Sequence, residues 1–252
     1  MSFADEVRAR LPEGMTLPEP FTQTFDWLEA QGWGGIFTRL DQEAFSSRYL
    51  SIYPPDVRDE YGASFVLFRF EAGPPLHDPP PQAIARITTI AKIAGDGGTL
   101  SFWLDDDGKQ WITVFNHGIP HVLTDDPIVA LQFLAIGYSE PGALTDPNVT
   151  PLEAQYGDPI TVPKAFQDFI SATFGVSIPA RASDLGIVIP PESAPDPLRA
   201  WLDEVMPEPE IGAIPGMTAE NPYIVTPELR EILGDAGVAA LRRVYEFVIE
   251  EE

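Results

Sequence analysis

The chain has 252 residues, 44% of them hydrophobic, enough for one large domain or two modest ones with a proper core. It contains no cysteine, which excludes disulfides, thiolate metal sites and a cysteine nucleophile. Fifteen basic residues stand against thirty-nine acidic ones, a net charge of −24, so the molecule repels phosphate backbones and anionic lipid and attracts basic partners. Direct binding of nucleic acid is therefore not expected.

The opening residues, MSFADEVRAR, place Asp5, Glu6, Arg8 and Arg10 where a secretory signal needs an apolar run. No stretch approaches the roughly 18 apolar residues of a membrane span. The expectation is a soluble cytoplasmic protein, with no membrane association. After a short first helix, TFDWLEAQGW reads as a helix with Phe25, Trp27 and Leu28 on its apolar face, ended by Gly32, Gly34 and Gly35. GIFTRL then reads as a short strand, and residues 41–62 have no clean period. SFVLFRFEAG is β-branched and aromatic enough for a strand, and the prolines of PPLHDPPPQ after it demand an extended loop.

From AIARITTIAKIAGDGG onward the pattern is strand, glycine turn, TLSFWLD, the turn DDGKQ, WITVFNH, the turn GIP, and HVLTD: an antiparallel meander. Alternation sets Leu100, Phe102 and Leu104 on one face and Ser101 and Trp103 on the other, while Ile112, Val114 and Asn116 oppose Trp111, Thr113 and Phe115. Bulk on both faces calls for helices on at least one side and partial cover on the other. The next helix is expected to start at Thr124 or Asp125 as cap, with Pro127 in its first turn, and to pack Ile128, Leu131, Leu134 and Ala135 on the sheet.

A proline- and glycine-rich connection follows, then PKAFQDFISATFG with Phe166, Phe169, Ile170 and Phe174 in helical register and Gly175 as its stop. APDPLRAWLDEVM repeats the pattern with Leu198, Trp201, Leu202 and Val205. PEPEIGAIPGMTAENP reads as a linker, and TPELREILGDAG with VAALRRVYEFVIEEE reads as a final helical pair. The fold class is α+β: an antiparallel or mixed sheet of about five or six strands flanked by helices over residues 1–140, with a mainly helical extension over 141–252 packed on it.

Motifs for chemistry are scarce. His117 and His121 stand four apart, but Gly118 and Pro120 make HGIPH a turn between strands, so edge or surface histidines are expected rather than metal ligands, and His77 is expected in an exposed loop. GDGG at 95–98 is followed by a strand, whereas a phosphate loop opens a helix, so hairpin or bulge chemistry is the expectation. DDDG at 105–108 runs into Lys109, Gln110 and Trp111 in a strand, where a calcium loop would continue to a bidentate glutamate between helices, so it reads as a tight acidic turn. No nucleophile elbow and no HExxH motif occurs. No catalytic residue, metal or cofactor is assigned.

The segment IAKIAGDGGTLSFWLDDDGKQWITVFNHGIPHVLTDDPIVALQFLAIGY is similar to the core of the SUKH superfamily, the Smi/Knr-type domains. Gly95, Gly97 and Gly98 match its glycine turn, Leu104, Asp105 and Val114 its strands, and DDPIVALQFLAIGY its terminal helix. FQDFISATFGVSIPARASDL and DPLRAWLDEV resemble carboxy-terminal extensions of bacterial members, so the resemblance runs over roughly residues 84–206. It implies an α+β domain and, for many bacterial members, an immunity protein that neutralises a toxin, often a nuclease; other members are scaffolds or regulators without a toxin partner. The expected function is a non-enzymatic intracellular binding protein that occludes a basic toxin domain, an acidic surface suiting fast, steered association with it. Candidate partner-binding residues are Trp103 and Trp111, with Phe115, as apolar anchors, ringed by Asp105, Asp106, Asp107, Asp125 and Asp126; the alternative is ordinary core packing for the aromatics and a solvated face for the acids.

Overall fold

A computed structural model of the chain describes residues 1–38, 46–61, 66–76, 78–95, 97–116, 119–154, 161–206, 224–225 and 248–249. The chain divides into two units, Met1–Val205 and Met206–Glu252. In the second unit, the strands Ile224–Val225 and Val248–Ile249 pair in parallel. The linker before the expected final helical pair and most of that pair lie outside the described residues, as do His77 and His117; Val248 and Ile249, expected in the last helix, are strand instead.

The first unit is built on a seven-stranded sheet in sequence order, every neighbouring pair antiparallel. Its strands are β1 (Gly34–Thr38), β2 (Ser46–Ser51), β3 (Leu67–Ala72), β4 (Ile87–Lys92), β5 (Thr99–Leu104), β6 (Gln110–Asn116) and β7 (Ile119–Thr124). The helices are α1 (Phe3–Arg8), α2 (Glu19–Ala30), α3 (Pro55–Tyr61), α4 (Pro81–Arg86), α5 (Pro127–Ala135), α6 (Lys164–Phe174) and α7 (Pro197–Val205). This is the expected α+β class, with seven strands where about five or six were expected. The extra strand is β2, in the stretch without a readable period. AIARITTIAKI, read as one strand, is α4 followed by β4, because Pro80 and Pro81 open a helical turn before the β-branched run begins.

Register decides the two faces. Leu100 opposes Val114 and Phe102 opposes Ile112, all pointing into the main core; Ser101 opposes Thr113 and Trp103 opposes Trp111 on the other side. The main core lies between the sheet and α1, α2, α5 and α6, with Phe21, Phe25, Phe68 and Phe102 fully buried in edge-on contact. α5 is capped by Asp126, one residue after the expected position: its Oδ1 accepts the Ile128 amide at 2.8 Å, and Pro127 follows as the first helical residue. α6 ends at Gly175 in the left-handed conformation, φ 68°.

The second face carries its own smaller core. Trp103 and Phe115 from the sheet meet Ala83 and Ile87 at the end of α4, and Leu198, Trp201 and Leu202 of α7. Asp196 sets α7 in place. Its Oδ1 accepts the amides of Leu198 and Arg199 at 3.0 and 3.1 Å, capping the helix, and its Oδ2 accepts the Val122 amide at 3.0 Å. β7 is the last strand of the sheet, so this carboxylate also covers an edge amide. Among the described residues no helix is long and apolar enough to cross a membrane.

Candidate functional site

The β5–β6 turn is organised by one carboxylate. Asp105 Oδ1 accepts the amides of Asp107 and Lys109 at 3.0 and 2.8 Å, and Oδ2 accepts the Trp111 indole N–H at 2.8 Å. The turn closes by backbone bonds from the Asp105 amide to the Lys109 carbonyl and from the Gly108 amide to the Asp105 carbonyl, and Gly108 takes φ 76°, which glycine adopts without strain. Partial burial pushes the Asp105 carboxyl up, but the Trp111 indole and the Lys109 and Asp107 amides outweigh it and hold the group below the usual carboxylate range.

The other acids of the turn differ in how they are engaged. Asp106 is exposed and pairs with Arg86, whose guanidinium also lies over the Trp201 ring at 5.8 Å. Lys109 Nζ bonds Asp125 Oδ2 at 2.6 Å and lies 3.6 Å from the Trp111 ring centroid. That contact with Lys109 lowers the Asp125 carboxyl. Asp126 is the α5 cap. Asp107 is exposed, and its carboxylate makes no ion pair or hydrogen bond among the described residues. The structure thus gathers Asp105, Asp106, Asp107, Trp111 and Asp125 at one end of the sheet, with Asp126 beside them, five carboxylates against the two cations Arg86 and Lys109. Trp103 is elsewhere in character: it is 3% exposed, with its ring 5.9 Å from that of Trp201 under α7, and Phe115 is fully buried.

His121 lies on β7, as an edge-strand residue, yet it is buried. Burial pushes its imidazole down to about 4, while Asp196 pulls it up and Arg199 lowers it. Among the described residues no group of three or more histidines and carboxylates is placed to hold a metal ion. A cavity of about 140 Å³ follows α5, lined by Tyr138, Glu140, Leu144, Asp146 and Glu153. Its carboxylates serve their own surroundings: Glu140 accepts the Gly95 amide, Asp146 the Asn148 amide, and Glu153 the Thr150 amide and hydroxyl.

Comparison with known protein families, characterised proteins and solved structures finds no match.

A second surface was not singled out from the sequence as a site. Trp33, Trp27, Phe169 and Phe174 form a row of rings in contact, all of them partly exposed, with successive centroids 5.1, 4.4 and 6.2 Å apart. Helical register placed Phe169 and Phe174 on the apolar stripe of α6, and the stripe does hold the fully buried Phe166 and Ile170. Its width carries the signal: an aromatic at each of 166, 169 and 174 spreads the stripe beyond what the core covers.

Proposed function

We propose that the protein is a non-enzymatic binding protein of the cytoplasm that occludes a basic protein partner, and that the partner is a toxin domain which it neutralises in the manner of a SUKH-type immunity protein. The observation that carries this reading is the net charge of −24 together with the acidic end of the sheet, where Asp106 and Asp107 are displayed on a turn that Asp105 holds rigid. A nuclease is basic where it holds nucleic acid. An acidic surface of fixed shape meets that site with steered association and little ordering cost.

The test is co-expression of the protein with the product of a toxin-like gene beside its own, followed by titration of the purified pair over a range of salt. Rescue of growth, with a roughly nanomolar, salt-sensitive complex, is the expected result. The variant Asp106→Lys with Asp107→Lys is expected to slow association more than it speeds dissociation. An unchanged association rate at low salt removes the turn from the interface. Absence of any toxin-like neighbour, with no protection, favours a regulatory or scaffold role.

A further inference from the structure

We propose that the row Trp33, Trp27, Phe169 and Phe174 is a docking strip for an arginine-bearing segment of a basic protein partner. This rests on the reading above that the protein binds such a partner. The row runs from the residue before β1, across α2, to the carboxy-terminal end of α6. Trp27 and Phe169 stack face to face, 12° from parallel, and neither they nor the rings at either end are fully buried.

Cations are drawn to such faces, and elsewhere the chain supplies its own: Arg10 lies over Phe70, Arg48 over Phe3, Arg86 over Trp201 and Lys109 over Trp111. No described cation lies over any of the four rings in the row. The surrounding charge favours a cation as well. α2 carries no basic residue and has Asp26 exposed beside Trp27, its Glu29 being already paired with Arg48, and the one lysine of α6, Lys164, is tied to Asp168.

Charge also selects among occupants. Stacked aromatics suit nucleic-acid bases, but the accompanying phosphates meet a chain of net charge −24. A second copy brings the same charge against itself. A basic protein removes the repulsion, and arginine fits better than lysine because its planar guanidinium stacks on a ring while its edge pairs with a carboxylate such as Asp26.

The experiment uses the full chain labelled with nitrogen-15, whose five tryptophans give separate indole N–H resonances, assigned with Trp→Phe variants. The probes are a short peptide of alternating arginine and glycine and its lysine counterpart. The expected result is movement of the Trp27 and Trp33 resonances, with the arginine peptide binding about tenfold more tightly than the lysine peptide and Phe169→Leu weakening it by about the same factor. The buried Trp103 and Trp201 resonances report whether that variant remains folded.

Equal affinity for both peptides overturns the proposal, because charge alone then accounts for binding. So does movement of Trp111 with Trp27 and Trp33 still, which moves the contact to the acidic turn and leaves the binding-protein reading intact. Resonances of the row that shift with protein concentration in the absence of peptide assign the strip to self-association and overturn it too. Failure to bind either peptide, together with failure to bind any basic toxin domain, removes both readings.

Discussion

Trp111 donates its indole N–H to Asp105 across the β5–β6 turn, so the ring and the acid that look like neighbouring surface groups in sequence form one structural unit. The carboxylate that receives it also receives two backbone amides. Replacing Asp105 by alanine is expected to lower stability by about 1–3 kcal/mol, since three donors lose their acceptor together. Asp107→Ala is expected to stay within about 0.5 kcal/mol, because its side chain is exposed and bonds nothing described. Urea melts of the two variants separate them; equal effects reject the organising role of Asp105.

Asp196→Ala is expected to cost about 2 kcal/mol, through the lost cap of α7 and the uncovered Val122 amide. Asparagine at this position keeps an acceptor oxygen and should recover part of the loss. Hydrogen exchange gives the local readout: the Val122 amide should exchange faster in the alanine variant, and unchanged protection there contradicts the covered edge.

Acid should loosen the fold through His121. In the fold its pKa lies at about 4, below the ordinary imidazole value of 6.5, so the unfolded chain takes up the proton first as pH falls. The stabilisation is therefore complete above about pH 6.5 and is lost on descending toward pH 4, about 3 kcal/mol in all. The charged groups facing the ring are Asp196 and Arg199. His121→Leu should flatten the stability profile over that window, and parallel profiles for the two proteins would refute the assignment.

Gly98 and Gly142 approach each other where the β4–β5 turn meets the short helical turn after α5. A Cβ added at Gly98 falls 2.7 Å from Ala94 Cβ and 3.2 Å from Gly142 Cα, and the backbone there is further pinned by a bond from the Gly142 amide to Ile93. Gly98→Ala is expected to cost about 1–3 kcal/mol from overpacking. At Gly32, φ 71°, an added Cβ meets nothing within 4 Å, so Gly32→Ala should cost only the backbone strain, about 1 kcal/mol. Thermal melts that rank the two in reverse order would sink this account.

The run from β5 to α5 was legible because its alternation and its turn residues point the same way: Leu100 and Phe102 face one side, Ser101 and Trp103 the other, as the register has them. β2 was not, for a physical reason. SSRYLS offers only Leu50 as an aliphatic core residue, and Arg48 shares its face, neutralised by Glu6 and Glu29 and set over the Phe3 ring. A charge in a half-buried position hides the period. At the candidate site, alternation put Trp103 on the correct face but said nothing of what covers that face. The cover is Trp201, which reaches it by a tertiary contact that no local pattern encodes. Spacing likewise could not separate Asp105, spent inside its turn, from Asp107, displayed by it.

The closing of β7 by Asp196 has a consequence for the nascent chain. Val122 and the carboxylate that covers its amide are 74 residues apart, so at about 5–20 residues per second the ribosome needs roughly 4–15 s to deliver the second after the first. Six antiparallel pairings can already be in place by then, since each joins strands that are neighbours in sequence and all seven strands precede Asp196. For those seconds the sheet presents an unpaired border and an uncovered Trp103, the form in which a nascent chain is open to chaperones and to strands of its neighbours on the polysome.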